Sequence, residues 1–276
     1  MTAQQAVAFG AAVIAGAVAT WMLIRARIGN PPPRQLVRIN VSGREVPAVL
    51  GAPVVLGALC GIGVSLVVAG GSRGARAAAA TCVVLVGLYL AGSWDDRRGD
   101  ERARGFAGHL HAARSLQLTG GLVKLGAGAA AGVVSGVITA HGPGILEIAL
   151  LVPLGANLVN LLDRAPGRAG KVALVAMLVV IAFGAAAWSL AAAGLVAAIA
   201  VSLPVDLAER AMLGDSGANP IGGVLGLGLG LSLPGWGRVT AILVLLVLNL
   251  ASERWSFSRG IARIGVLRAL DRMGRR

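Results

Sequence analysis

Charge is scarce in this chain, and acid is scarcer than base. Only 13% of its 276 residues are charged, about half the share that coats an average soluble domain. That shortage excludes a water-soluble enzyme. A hydrophobic content of 56% excludes a disordered chain. There are two cysteines, Cys60 and Cys82, both inside apolar runs. They exclude a disulfide-stapled secreted domain and read as small core residues, silent about redox compartment. No Gly-Lys-Ser/Thr follows the glycine runs, which argues against a phosphate-binding P-loop. No internal repeat points to a two-fold transporter. No basic residue precedes the first apolar run, which argues against a cleaved signal peptide.

What is present is length of apolar sequence and a basic excess of +13. A helix needs about 20 mainly apolar residues to cross the hydrocarbon core. Nine segments qualify as spans: 5–24, 48–69, 76–94, 119–140, 145–162, 171–187, 189–206, 219–235 and 237–252. The run across 171–206 is split near Trp188, because it is too long for one span. The expected fold is therefore all-α, a polytopic membrane protein of about nine helices. With 25–47 placed in the cytoplasm, all but four of the 25 Lys and Arg residues fall on that side. The exceptions are Arg73, Arg76, Lys124 and Arg238. By the positive-inside rule the N-terminus is external and the C-terminus cytoplasmic. Trp21, Trp94 and Trp255 then mark inner interfaces, and Trp188 and Trp236 outer ones. Gly222, Gly226 and Gly230, four apart, read as a close helix-packing face.

The twelve acidic residues are more informative. All but Glu147 lie at or near the basic face, in part as three clusters at inner span ends. Gly92-Ser93-Trp94-Asp95-Asp96 closes the third span. Adjacent carboxylates repel, and a divalent cation or cationic substrate group offsets that; the alternative is a solvated cap. Asn157, Asn160 and Asp163 close the fifth span at a spacing of three, along one helical face. They can bind a polyhydroxylated ligand or simply bond a neighbouring helix. Gly214-Asp215-Ser216-Gly217-Ala218-Asn219 enters the eighth span. Its glycines allow a tight turn with free backbone N–H groups, which suits a phosphate at a helix N-terminus. Asp215 is then placed to hold Mg2+ against that phosphate; a ligand-free capping turn is the alternative. Lys124 is a basic residue inside a span and offers a phosphate contact or a partner for Asp95 or Asp96. Together these groups suit chemistry on a nucleoside diphosphate at the membrane surface.

The same residues resemble the polyprenyl-phosphate N-acetylhexosamine-1-phosphate transferases, the superfamily of phospho-N-acetylmuramoyl-pentapeptide transferase. The resemblance follows the chain in order. It runs through the early loop Arg38 to Pro47 with Arg44, then Asp95-Asp96, Lys124, Asn157-x-x-Asn160-x-x-Asp163 and Gly214-Asp215-Ser216-Gly217. It implies transfer of a sugar-1-phosphate from a UDP-sugar to a polyprenyl phosphate, with release of UMP, for cell-envelope polymer synthesis. It implies Mg2+ as cofactor with Asp215 as its ligand. Asp95, Asp96 and Lys124 would be catalytic. Arg44, Asn157, Asn160, Asp163, Ser216 and Asn219 would bind substrate.

This chain departs from the pattern in three places. Asp163-Arg164-Ala165-Pro166 stands where the family often carries a further Asp, and Met212 where an aromatic often stacks on uracil. A long late loop rich in His and Arg, which helps choose the sugar, is missing. His109 and His111 lie in the loop after Asp95-Asp96 and read as solvated; His141 reads as external.

The expected organisation is a transferase-like membrane domain over 1–252 and a basic cytoplasmic tail over 253–276. In the tail, Leu267, Leu270 and Met273 alternate with Arg268, Arg272 and Arg275, the pattern of an amphipathic helix on anionic lipid. Expected partners are a UDP-sugar, a polyprenyl phosphate, the plasma membrane and a possible homodimer, with no nucleic acid. The competing reading is a non-catalytic relative that binds polyprenyl lipid or nucleotide and regulates envelope assembly.

Overall fold

The computed structural model describes residues 1–28, 30–40, 43–98 and 120–275. His109, His111, Val41, Ser42 and the basic residues Arg102, Arg104, Arg114 and Arg276 lie outside the described residues. The architecture is all-α, with one small antiparallel hairpin, β1 (Val37–Ile39) and β2 (Glu45–Pro47). The long helices are α1 (Ala3–Ile28), α2 (Gly51–Ala69), α3 (Ser72–Arg98), α4 (Gly120–Thr139) and α5 (Pro143–Leu162). They continue as α6 (Arg168–Phe183), α7 (Ala186–Leu207), α8 (Asp215–Ser232) and α9 (Gly235–Arg254). Two short helices follow, α10 (Phe257–Arg263) and α11 (Gly265–Arg272).

Each long helix falls on one of the nine apolar segments. Among the described residues, six are long and apolar enough to cross a membrane: α1, α2, α3, α5, α7 and α9. The other three fall short for identifiable reasons. The apolar part of α4 is only Val123–Thr139. Helix α6 has 16 residues. Helix α8 has 18 and opens with Asp215, Ser216 and Asn219.

Small residues set the packing. Apolar surface gains nothing by leaving lipid for another helix, so close van der Waals approach must hold the bundle. A Cβ at Gly61 would lie 2.5 Å from the Gly194 Cα and 2.9 Å from the Ala12 carbonyl oxygen. Helices α1, α2 and α7 therefore touch backbone to backbone. Gly222 and Gly226 do the same for α8 against Gly155 and Leu151 of α5, as their spacing predicts.

The break between α6 and α7 falls at Gly184 and Ala185, before Trp188. Trp188 does not sit in an outer aromatic belt. It is fully buried and fills the space left by Gly228, where any Cβ would overlap its ring. Trp236 is 77% exposed, as an interfacial indole is. Near the C-terminal ends of α1 and α3, Arg25 stacks on Trp21 at 5.0 Å and Arg98 on Trp94 at 4.2 Å. The acidic outlier Glu147 and the basic outlier Arg238 form an ion pair with each other, between α5 and α9.

The tail folds back onto the bundle. Arg168, 6% exposed at the start of α6, grips both oxygens of Asp271 at 2.7 and 3.0 Å. Arg275 adds a second ion pair to Asp271 at 2.7 Å and donates to the Pro166 carbonyl at 3.2 Å. Lys171 Nζ caps the carbonyls of Leu270, Asp271 and Met273 at 2.9, 2.8 and 3.1 Å. Burial by itself raises the pKa of the Asp271 carboxyl. The bonds and charge of Arg168, then Arg275, outweigh it and hold the group below its ordinary value of 3.8.

Two predictions follow from this packing. Gly61→Ala should lower stability by about 1–3 kcal/mol through overpacking. Gly63→Ala, whose Cβ meets nothing within 4 Å, should be neutral or gain about 0.5–1 kcal/mol from helix propensity; thermal unfolding of both in detergent checks this. A carboxyl whose pKa falls on folding stabilises the fold above the ordinary pKa, and that stability is lost as pH falls through the folded value. The tail should stay docked above about pH 4 and release only in more acid solution, followed by proteolytic cleavage between 255 and 272.

Candidate functional site

Four helix ends meet at one end of the bundle: the last turns of α3 and α5 and the first turns of α4 and α8. Asp95 and Asp96 stand in the last turn of α3. A helix C-terminus carries partial negative charge, so two carboxylates there are doubly unfavourable unless something positive meets them. Each finds a different partner.

Asp96 is 5% exposed and turns to the N-terminus of α8. Its Oδ1 accepts from the Asp215 N–H at 3.1 Å, and its Oδ2 from the Ser216 N–H at 2.9 Å. Asp163, just beyond α5, accepts from the Gly214 N–H at 3.1 Å. The N–H groups of Gly217 and Ala218 bond to the Gly214 carbonyl at 3.1 and 2.9 Å. The expectation of free N–H groups for phosphate is thus corrected: the protein's own carboxylates occupy the positive end of α8.

Asp95 turns to Lys124. The ammonium bonds Asp95 Oδ2 and Asp215 Oδ2, each at 2.7 Å, with all three side chains about four-fifths enclosed. Lys124 is therefore the bridge between α3 and α8. Asn160 lies beside Asp215. Asp95, Asp96, Lys124, Asn160, Asp163 and Asp215 form one connected group. Among the described residues, Lys124 meets two of its four carboxylates, and Asp96 and Asp163 meet backbone N–H groups of the α8 turn.

Two glycines make this approach feasible. A Cβ at Gly92, one turn before Asp96, would overlap the Asp215 carbonyl and lie 2.7 Å from the Ser216 nitrogen. Gly214 has φ 65° and sits against Asp96, so a side chain there would be both strained and crowded. The hairpin secures the turn from the other side. Leu50 N–H bonds the Met212 carbonyl at 3.1 Å, and Met212 N–H the Pro47 carbonyl at 2.9 Å.

The remaining sequence candidates lie elsewhere. Asn157 points to α9, where its amide donates to Asn249; Asn249 in turn donates to the carbonyls of Leu154 and Leu245. That is interhelical bonding, not part of the carboxylate group. Asn219 is buried and donates back to the Asp215 carbonyl at 2.9 Å, so it supports the turn. Arg44 pairs with Glu209 at 3.1 Å beside a neighbouring cavity.

That cavity, about 310 Å3, is lined by Asn40, Asp163, Pro166, Asp206, Glu209 and Met212 among others. Asp163 belongs to both cavity and carboxylate group and joins them. Asp206, Glu209 and Arg38 were not singled out in the sequence. Asp206 is 4% exposed in the last turn of α7; a carboxylate ending an apolar run was the available signal. Arg38 donates to the Asp96 carbonyl, a contact no spacing encodes.

Asp95 and Asp215 offer oxygen donors alone, and their Oδ2 atoms converge on one cationic point. Mg2+ is commonly held by one or two carboxylates, with phosphate and water completing its shell. The pair fits that requirement. Among the described residues, no three His, Cys, Asp or Glu side chains form a ready-made metal cage. No family model matches the sequence, and no curated protein matches it.

The turn should be sensitive to one methyl group. Gly92→Ala should cost about 1–3 kcal/mol by pushing α8 away from α3. Gly87→Ala, whose nearest neighbour would be the Ala131 Cβ at 3.8 Å, should not. Thermal unfolding of the two variants in the same detergent gives the comparison.

Proposed function

We propose that this protein is a Mg2+-dependent phosphoglycosyl transferase that acts at the cytoplasmic face of the plasma membrane. It moves a sugar-1-phosphate from a UDP-sugar to a polyprenyl phosphate and releases UMP, in service of cell-envelope polymer synthesis. In this reading all nine long helices cross the bilayer, with the N-terminus outside and the C-terminus inside. The observation that carries it is the joining of Asp95 and Asp215 through Lys124, beside Asp96, Asn160 and Asp163. These are the residues whose motifs resemble the transferase superfamily.

The chemistry asks three things of the chain. It must gather two phosphate groups that repel each other, hold them in line, and leave the lipid in the bilayer. Lys124 supplies a positive charge at the membrane boundary once phosphate oxygens replace carboxylates beside it. Mg2+, held by Asp215 with Asp95 as neighbour, would neutralise the diphosphate of the donor. An oxygen of the lipid phosphate attacks the phosphorus that bears the sugar. The bond between the two phosphates breaks, and UMP departs with the bridging oxygen. A phosphate monoester is largely ionised at neutral pH, so the attack needs no strong base. Asp96 already accepts two backbone N–H groups, so its part is to position the α8 turn. The adjoining cavity, with Met212 and Asp163 in its wall, offers the nucleoside a place. A thioether packs on a base with little selectivity.

The test is direct. Purified protein with Mg2+, a polyprenyl phosphate and a panel of UDP-sugars should release UMP with at least one donor, and chelation should stop it. Asp215→Asn should cut that release by at least about a hundredfold, given the several kcal/mol that a metal contact supplies, while the protein remains folded. Lipid binding without UMP from any donor would favour the non-catalytic, regulatory reading.

A further inference from the structure

Helix α11 carries an apolar stripe bordered along one edge by a clamped carboxylate, and the fold accounts only for the clamp. At that edge Asp271 is gripped by Arg168 and Arg275, while Lys171 caps the last carbonyls of the helix. The stripe consists of Val266, Leu267 and Leu270, with Met273 just beyond, exposed by 71, 43, 52 and 62%; Leu267 lies one turn before Asp271 and adjoins it. An apolar stripe held outward by a buried ion pair needs a cover.

The surroundings say what the cover is. The tail leaves the end of α9 and docks at the start of α6, so it lies across the level where two long apolar helices end. Val172 and Val175, beside Lys171 on α6, are themselves exposed apolar residues. Trp255, at the root of the tail, is 71% exposed. Arg254, Arg259, Arg263, Arg268 and Arg272 are all exposed, with Glu253 the exposed acid between 253 and 275. An apolar stripe flanked by arginines at a helix-end level matches an acyl boundary topped by anionic headgroups.

We infer that α10 and α11 form a membrane-surface anchor that recognises anionic phospholipid. The apolar stripe enters the acyl boundary, and the exposed arginines meet the headgroup phosphates. The Arg168–Asp271 clamp fixes the roll of the helix so that the stripe faces lipid. This anchor stands whether or not the transferase reading holds.

The experiment uses the full chain with Cys60→Ser and Cys82→Ser, reconstituted in vesicles. A nitroxide is attached at Leu270→Cys or, as the polar-side control, at Arg272→Cys. In vesicles containing phosphatidylglycerol, the label at 270 should be open to oxygen and shielded from a soluble nickel chelate; the label at 272 should be open to nickel. In pure phosphatidylcholine the shielding at 270 should fall. Arg268→Gln should lower the docked-to-undocked ratio about fivefold, from ~1 kcal/mol per basic residue at an anionic surface. Nickel access at 270 in both lipids would overturn the anchor. Equal shielding in both lipids would overturn anionic recognition. Shielding from oxygen and nickel alike would overturn lipid as the cover and assign it to protein.

Discussion

The N-terminus of α8 is held by carboxylates from two other helices, and this end of the bundle depends on that arrangement. Three consecutive N–H groups, at Gly214, Asp215 and Ser216, are accepted by Asp163 and Asp96. A helix start leaves such donors unsatisfied, and a low-dielectric boundary makes them costly to leave so. The same place concentrates positive dipole charge, which makes two partly buried carboxylates tolerable. One contact therefore solves two problems and ties α3, α5 and α8 together. It also aims the Asp215 side chain at Lys124, and through it at Asp95.

The consequence for function is a division of labour among similar residues. Asp96 and Asp163 hold backbone. Asp95 and Asp215 hold a cation, which here is an ammonium. A lysine between two carboxylates offsets their mutual repulsion. In the proposed transferase, an incoming phosphate would compete for the lysine and free carboxylate oxygens for a metal. This exchange is the physical content of the transferase proposal. On the same proposal, the surrounding arginines would add long-range attraction for anionic nucleotide and lipid.

Much of this was legible in the sequence because the bilayer imposes harsh rules. Apolar runs marked the helices, and glycine spacing marked the α5–α8 contact. Carboxylates and a lysine at span ends stood out because such residues are costly there without partners. Residues whose role lies in a partner were not legible. The spacing of Asn157, Asn160 and Asp163 places them along one face, yet Asn157 bonds Asn249 on α9 while the other two meet α8. Trp188 lay where an outer interface was expected, yet Gly228 opens a buried slot for it. The free N–H groups expected at Gly214–Gly217 are filled, because only the folded chain brings Asp96 within reach.

The sequence by itself determined the helical class, the segments that form helices, and the residue types gathered at span ends. Composition and periodicity dictate these because lipid forbids unpaired backbone and isolated charge. Tertiary structure alone decided the pairings. It decided which carboxylate caps a helix, which meets the lysine, and which arginine grips the tail. Those choices depend on distances between residues up to 120 positions apart, set by glycine contacts that let helices approach. No local rule carries that information, since each carboxylate alone is equally suited to a metal, a helix end or a cationic side chain.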